Sequence, residues 1–127
     1  MSEQMKILMV DDHQNNLFSL QALIKESLDA PVQILKAESG TSALKILEQE
    51  QVDLILLDVE MPGMNGFETA QSIRSRKETE KTPIVFITAA YDLEQFQQKS
   101  IAIENMDYLT KPFDPDKFIR IVESYLS

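Results

Sequence analysis

Three carboxylates, a threonine and a lysine are the residues of this chain that could do chemistry together. Asp11 and Asp12 stand side by side, Asp58 closes the apolar run Leu54 to Leu57, Thr88 follows the run IVFI, and Lys111 follows DYLT. Carboxylates drawn into one pocket do not all stay ionised, because like charges at short range push one pKa upward. A divalent cation resolves that conflict. Hard oxygen donors suit magnesium, which takes one or two protein carboxylates, keeps several waters and completes its shell with phosphate oxygens. Asp58 in such a pocket is a candidate nucleophile toward phosphorus, forming an aspartyl phosphate. Lys111 and Thr88 would supply a cation and a hydroxyl to the transferring group. The added charge would then reorder nearby loops, so the reaction would also be a switch.

For these residues to meet, the elements before them must converge. Met5 to Val10 is an apolar run ending in two acids, and Val52 to Gly66 (VDLILLDVEMPGMNG) is a second one ending in Asp58. Four consecutive apolar residues, Leu54 to Leu57, cannot alternate in and out, which suits a strand covered on both faces. Pro62, Gly63, Asn65 and Gly66 then supply turn chemistry. Val32 to Ala37, Ile84 to Ile87 and Asp107 to Thr110 read as the other strands. Between them, helical spacing recurs. Leu17, Leu20, Leu23, Ile24 and Leu28 mark a first helix capped by Asn15 or Asn16 and broken at Asp29 to Pro31. Ala43, Leu44 and Leu47 mark a second after a turn at Ser39 to Thr41, and Phe67, Ala70 and Ile73 a third. A fourth spans roughly Leu93 to Ile103. The last holds Phe118, Val122, Tyr125 and Leu126 and is capped by Asp114. The run Arg74 to Lys81 has no apolar periodicity and reads as a solvated loop.

Strand then helix, five times over, implies right-handed crossovers and a parallel sheet with helices on both faces. Ligands of such sheets lie outside the carboxyl ends of the strands, which is where all the candidate residues fall. The chain has 127 residues, 43% of them hydrophobic and 26% charged, enough for one self-sufficient domain spanning 1–127. It has no cysteine, which excludes disulfides and thiolate metal sites and fits a reducing compartment. The opening apolar run is too short for a signal peptide or a membrane span, so a cytoplasmic protein is expected. Twelve basic against 21 acidic residues give a formal charge of −9, which repels nucleic acid and anionic lipid and argues against either as a partner.

Taken together, MVDDH (Asp11, Asp12), DVEMPGMNG (Asp58), FITAA (Thr88) and DYLTKPF (Tyr108, Lys111) resemble the receiver domain of two-component response regulators, the CheY-like superfamily, from Lys6 to about Tyr125. The resemblance implies a doubly wound, flavodoxin-like three-layer sandwich with strand order 2-1-3-4-5 and five helices. It implies magnesium, with manganese as a substitute, held by Asp12, Asp58 and the backbone carbonyl of Glu60 with Asp11 in support. It implies transfer of a phosphoryl group to Asp58 from a sensor histidine kinase or a histidine phosphotransfer protein. Thr88 would turn to meet that group, Tyr108 would follow inward, and Lys111 would pair with the phosphate through a cis bond before Pro112. An effector would read the face made by the fourth and fifth helices and the fifth strand.

The family's small pair before the fifth strand is replaced by Glu104 and Asn105, and Asn tolerates the left-handed backbone such a turn needs. Each residue also has a plainer role. On that reading Asp11 and Asp12 would serve as helix caps, Thr88 as a strand former, Tyr108 as a half-buried strand aromatic, His13 as an exposed loop residue, and Met61 and Met64 as loop packing. Two other functions fit less of the sequence. A receiver-fold binding module that signals without phosphorylation has no need of the complete acid set. A phosphatase or mutase would place its nucleophile after the first strand and add a cap domain. With three glycines and none in a phosphate-cradling run, dinucleotide binding lacks its motif.

Overall fold

The apolar runs become five parallel strands because each is too short for a stable helix and a sheet covered on both faces buries its side chains in both directions. The computed structural model describes residues 5–28, 31–61, 63–89, 93–100, 103–111 and 114–126. Within them the order is β1 (Met5–Val10), α1 (Gln14–Ser27), β2 (Val32–Ala37), α2 (Gly40–Gln49), β3 (Leu54–Asp58), α3 (Gly66–Ser75), β4 (Ile84–Ala89), α4 (Leu93–Lys99), β5 (Met106–Lys111) and α5 (Pro115–Leu126). The strands form one sheet in the order β2-β1-β3-β4-β5, every pairing parallel. This is the doubly wound sandwich expected from the sequence. The break at Asp29, the turn role of Pro62, the bond before Pro112 and the stretch 101–102 of the longer fourth helix lie outside the described residues.

Successive side chains of a strand point to opposite faces, and the sheet therefore divides the core in two. Leu8, Val10, Ile55, Leu57, Ile84 and Phe86 face α2, α3 and α4, with Ala43, Leu47, Ala70, Ile73 and Phe96 packed over them. Ile7, Met9, Leu54, Leu56, Val85 and Ile87 face α1 and α5, against Leu17, Leu20, Ile24, Phe118 and Val122. All five β3 residues are buried, as its unbroken apolar run requires. Each of its four aliphatic side chains, Leu54 to Leu57, contributes about 1.5–3 kcal/mol relative to an exposed one, so the strand is a firm support for Asp58.

Helix starts differ from the sequence reading in two places. Asn15 and Asn16 lie inside α1, whose N-cap is His13 with no side-chain cap bond. Asn16 instead donates Nδ2 to Asp11 Oδ2 at 3.1 Å. The expected turn at Ser39 to Thr41 is the start of α2 itself, with Ser39 accepting the Ser42 N–H at 3.0 Å. Gly40 is the first residue of that helix, and a Cβ there would meet Thr69 Oγ1 and, at 2.9 Å, Met64 Sδ. Asp114 caps α5 as expected, accepting the Asp116 N–H at 3.1 Å.

The charged run is the larger correction. Arg74 donates Nε to the Glu104 carbonyl (3.0 Å), Nη1 to the Thr79 carbonyl (3.1 Å) and Nη2 to the Asn105 carbonyl (3.0 Å). Thr79 is buried and donates its hydroxyl to the Ile73 carbonyl at 2.6 Å. The segment is thus pinned across the amino-terminal ends of β4 and β5. Asn105 takes the left-handed backbone anticipated for it, φ 55°, which turns its carbonyl toward Arg74. Arg74→Ala removes three charge-assisted bonds and should destabilise the fold by about 1–3 kcal/mol. Urea unfolding would show this as a lower midpoint at constant slope. An unchanged midpoint would return the segment to the status of a solvated loop.

Candidate active site

Register alone brings the candidate residues to one edge of the sheet. Val10 pairs with Leu57, so Asp11 and Asp58, each one residue later, leave adjacent strands together. Asp58 pairs with Ile87, placing Thr88 one step beyond, and Ala89 pairs with Lys111. Asp11, Asp12, His13 and Asp58 offer ligand atoms that all lie within 4.8 Å of one another. Asp11 and Asp58 are buried. The Asp11 carboxylate is fixed on both oxygens, Oδ1 accepting the His13 N–H at 2.9 Å and Oδ2 the Asn16 amide.

Asp58 Oδ1 accepts the Glu60 N–H at 3.2 Å and lies 3.6 Å from Lys111 Nζ. Burial is the main reason that the Asp58 pKa is pushed up from 3.8 to about 6; Lys111 and the Glu60 N–H oppose it, while Asp11 and Asp12 add to it. The conflict among neighbouring acids anticipated from the sequence is therefore present and falls on Asp58. Two buried oxygens, Asp12 Oδ1 and Thr88 Oγ1, take no well-aligned hydrogen bond among the described residues, although the His13 ring nitrogen lies 3.1 Å from the first. A close set of hard oxygen donors, one of them unsatisfied, and an acid held against its preferred charge fit a small divalent cation.

The loop that leaves Asp58 is held at both ends. Val59 N–H bonds the Ile87 carbonyl at 3.1 Å, and Gly66 N–H returns to the Val59 carbonyl at 3.0 Å. Asn65 and Glu68 then form a reciprocal capping box that starts α3. Met61 is buried and Met64 packs on the same core, as loop packing predicts. Between this loop and α4 lies a cleft of about 440 Å³ bounded by Phe67, Phe96, Thr88 and Lys99. Phe67, Phe86, Phe96 and Tyr108 form a chain of ring contacts across it, with centroids 5.1 to 5.7 Å apart.

Of the residues singled out in the sequence, Asp11, Asp12, Asp58 and Lys111 converge on one pocket. Thr88 is buried at the end of β4, and the half-buried Tyr108 rests on Phe96 at 5.1 Å. The Glu60 side chain is exposed, and its backbone N–H bonds Asp58. His13 was read only as exposed. Its ring is exposed, yet Nδ1 lies 3.1 Å from Asp12 Oδ1 and 3.4 Å from Asp11 Oδ1. Its place directly after the acid pair was the available signal.

The family profile described as the response regulator receiver domain matches residues 7–123. Protein PilH of Pseudomonas aeruginosa is 31% identical over 122 residues, covering 96% of this chain and 98% of PilH. Among solved structures, the chemotaxis response regulator CheY4 of Vibrio cholerae superposes with a TM-score of 0.85 at 26% identity, covering 97% of this chain and 99% of its own. The receiver domain of sensor histidine kinase PA1611 from Pseudomonas aeruginosa, solved with a magnesium ion coordinated in its active site cleft, has a TM-score of 0.84 at 24% identity, covering 98% of each chain. At that identity the likeness is one of fold. Among the described residues no helix is long and apolar enough to cross a membrane.

Proposed function

The chain belongs to the response regulator receiver family of two-component systems, and we propose that it accepts a phosphoryl group on Asp58 from the histidine of a sensor kinase or phosphotransfer protein. The observation that carries this reading is the convergence of Asp11, Asp12, Asp58 and Lys111 on one pocket, with Asp58 buried at its base. Residues 1–127 are taken as a single receiver domain, working in the cytoplasm without nucleic acid or membrane as a partner.

Asp12, Asp58 and the Glu60 carbonyl would hold magnesium, or manganese in its place, with Asp11 in support. When bound, the ion supplies neutralisation of the phosphoryl oxygens. The chain's own groups do the rest. The Glu60 N–H and Lys111 both hold Asp58 Oδ1, which orients the carboxylate and assigns Oδ2 to the attack. The Oδ2–P bond forms as the P–N bond to the donor imidazole breaks, its electron pair staying on nitrogen. Lys111 then balances charge on the new acyl phosphate, and Thr88 Oγ1, which takes no hydrogen bond among the described residues, donates to a phosphoryl oxygen. Tyr108 follows along its contact with Phe96, and the surface of α4, β5 and α5 changes for an effector. Attack of water on phosphorus restores the carboxylate and releases inorganic phosphate.

Incubation with magnesium and acetyl phosphate should place one acid-stable, base-labile phosphoryl group on each chain, and a chelator should prevent it. Lys111→Ala, which removes a cation 3.6 Å from the reacting carboxylate, should slow both gain and loss of the label by about tenfold or more. Phosphate release assays on the two proteins check this. Absence of label from acetyl phosphate and from a phosphohistidine donor alike would end the proposal.

A further inference from the structure

His13 is the single histidine of the chain and stands at the N-cap of α1, where serine, threonine, aspartate or asparagine would bond the free N–H groups of the first turn. Its side chain makes no such bond. With 67% of the side chain exposed, packing does not fix the ring either. Its close neighbours are carboxylate oxygens: Asp12 Oδ1 at 3.1 Å and Asp11 Oδ1 at 3.4 Å from Nδ1. Asp12 Oδ1 is also buried and, apart from this contact with the His13 ring, takes no hydrogen bond among the described residues.

Those spacings have a chemical meaning. Two donors bound at about 2.1 Å to one small ion lie roughly 3.0 Å apart in an octahedral shell and roughly 3.4 Å apart in a tetrahedral one. The His13 nitrogen and its two oxygen neighbours span that range, and Asp58 offers an oxygen within the same 4.8 Å cluster. Magnesium favours carboxylate, carbonyl and water oxygens, whereas nickel, zinc and copper also favour imidazole nitrogen.

We propose that His13 is a nitrogen donor at the rim of the acidic pocket and makes it a site for nitrogen-favouring divalent ions such as nickel and zinc as well as for magnesium. The inference rests on the metal reading of Asp12 and Asp58 and extends it to selectivity. A nitrogen-favouring ion held by His13 competes with magnesium for the same carboxylates. The identity of the available cation thus bears on whether Asp58 is ready to accept phosphate.

The test compares the metal-free wild-type chain with His13→Asn, in which asparagine is a favourable N-cap residue and the acids are untouched. Calorimetric titrations with nickel and with magnesium are run at one neutral pH. Nickel binding should weaken by about tenfold or more in His13→Asn while magnesium binding changes by less than about twofold. In the wild-type chain the imidazole Nδ1 resonance in a nitrogen-15 spectrum should move on addition of zinc and not of magnesium. Unchanged nickel affinity, an equal loss for both ions, or a zinc-insensitive Nδ1 resonance overturns the role of His13. Failure of the wild-type chain to bind either ion overturns the metal reading beneath it as well, so the two failures are distinct.

Discussion

Asp58→Asn should abolish phosphoryl incorporation and, in chelator at neutral pH, make the fold more stable than the wild type. The second effect follows from the pKa of Asp58, raised from 3.8 to about 6, with burial as the first cause and the neighbouring Asp11 and Asp12 adding to it against Lys111. A carboxyl whose pKa is higher in the folded than in the unfolded chain binds more protons when folded. Its favourable contribution is complete below about pH 4 and is lost as the pH rises through about 6. Two pH units at about 1.4 kcal/mol each set an upper limit near 3 kcal/mol, and relaxation of the pocket reduces it to roughly 1–3 kcal/mol. Asparagine has nearly the same shape and carries no charge to bury. Urea unfolding of both proteins at about pH 4 and about pH 7.5 would separate them. The wild type should lose stability across that interval relative to Asp58→Asn, and magnesium should restore much of it at the higher pH only. Parallel pH profiles for the two proteins would refute a strained acceptor.

The second large effect belongs to Gly66. A Cβ at this position would run into the Asp58 carbonyl oxygen and come within 2.8 Å of Val59 Cα. Both are backbone atoms of the acceptor strand end, so no flexible side chain can move aside. Gly66→Ala should therefore cost about 1–3 kcal/mol despite alanine's better helix propensity, and it should slow labelling because the Val59 to Gly66 loop must lift. Gly63→Ala is the control. Gly63 has φ +76° with nothing within 4 Å of a Cβ among the described residues, so alanine there costs about 1–2 kcal/mol of backbone conformation and leaves Asp58 in place. If the two variants label at the same rate, close packing of Gly66 on the acceptor strand has no functional weight.

The acids, Thr88 and Lys111 were legible because each ends an apolar run, and parallel topology gathers strand ends whatever their distance in the chain. Asn105 was legible for a local reason, since few residues other than glycine take its backbone conformation. Arg74 was not legible: two of its three partners lie 30 and 31 residues away and all three are backbone carbonyls, which leave no trace in side-chain pattern. The closeness of Gly66 to the acceptor strand was hidden in the same way, because a glycine among turn residues reads as conformational freedom rather than as lack of room. His13 lay between these cases. Its position was visible, but whether its ring turned to water or to the acid pair depended on the start of α1, which sequence placed at the asparagines that follow.

Arg74 fastens the carbonyls of Glu104 and Asn105 just before β5, at the end of the sheet remote from Asp58. Lys111 lies at the other end of that strand, about 20 Å away for a run of six residues. A strand tied at one end moves least there and most at its tip. If Asp58 is phosphorylated as proposed, Arg74 would be the fulcrum at which β5 is held, and a small charge-driven displacement of Lys111 would become a tilt of Tyr108 and of the surface around it rather than a slide of the whole strand.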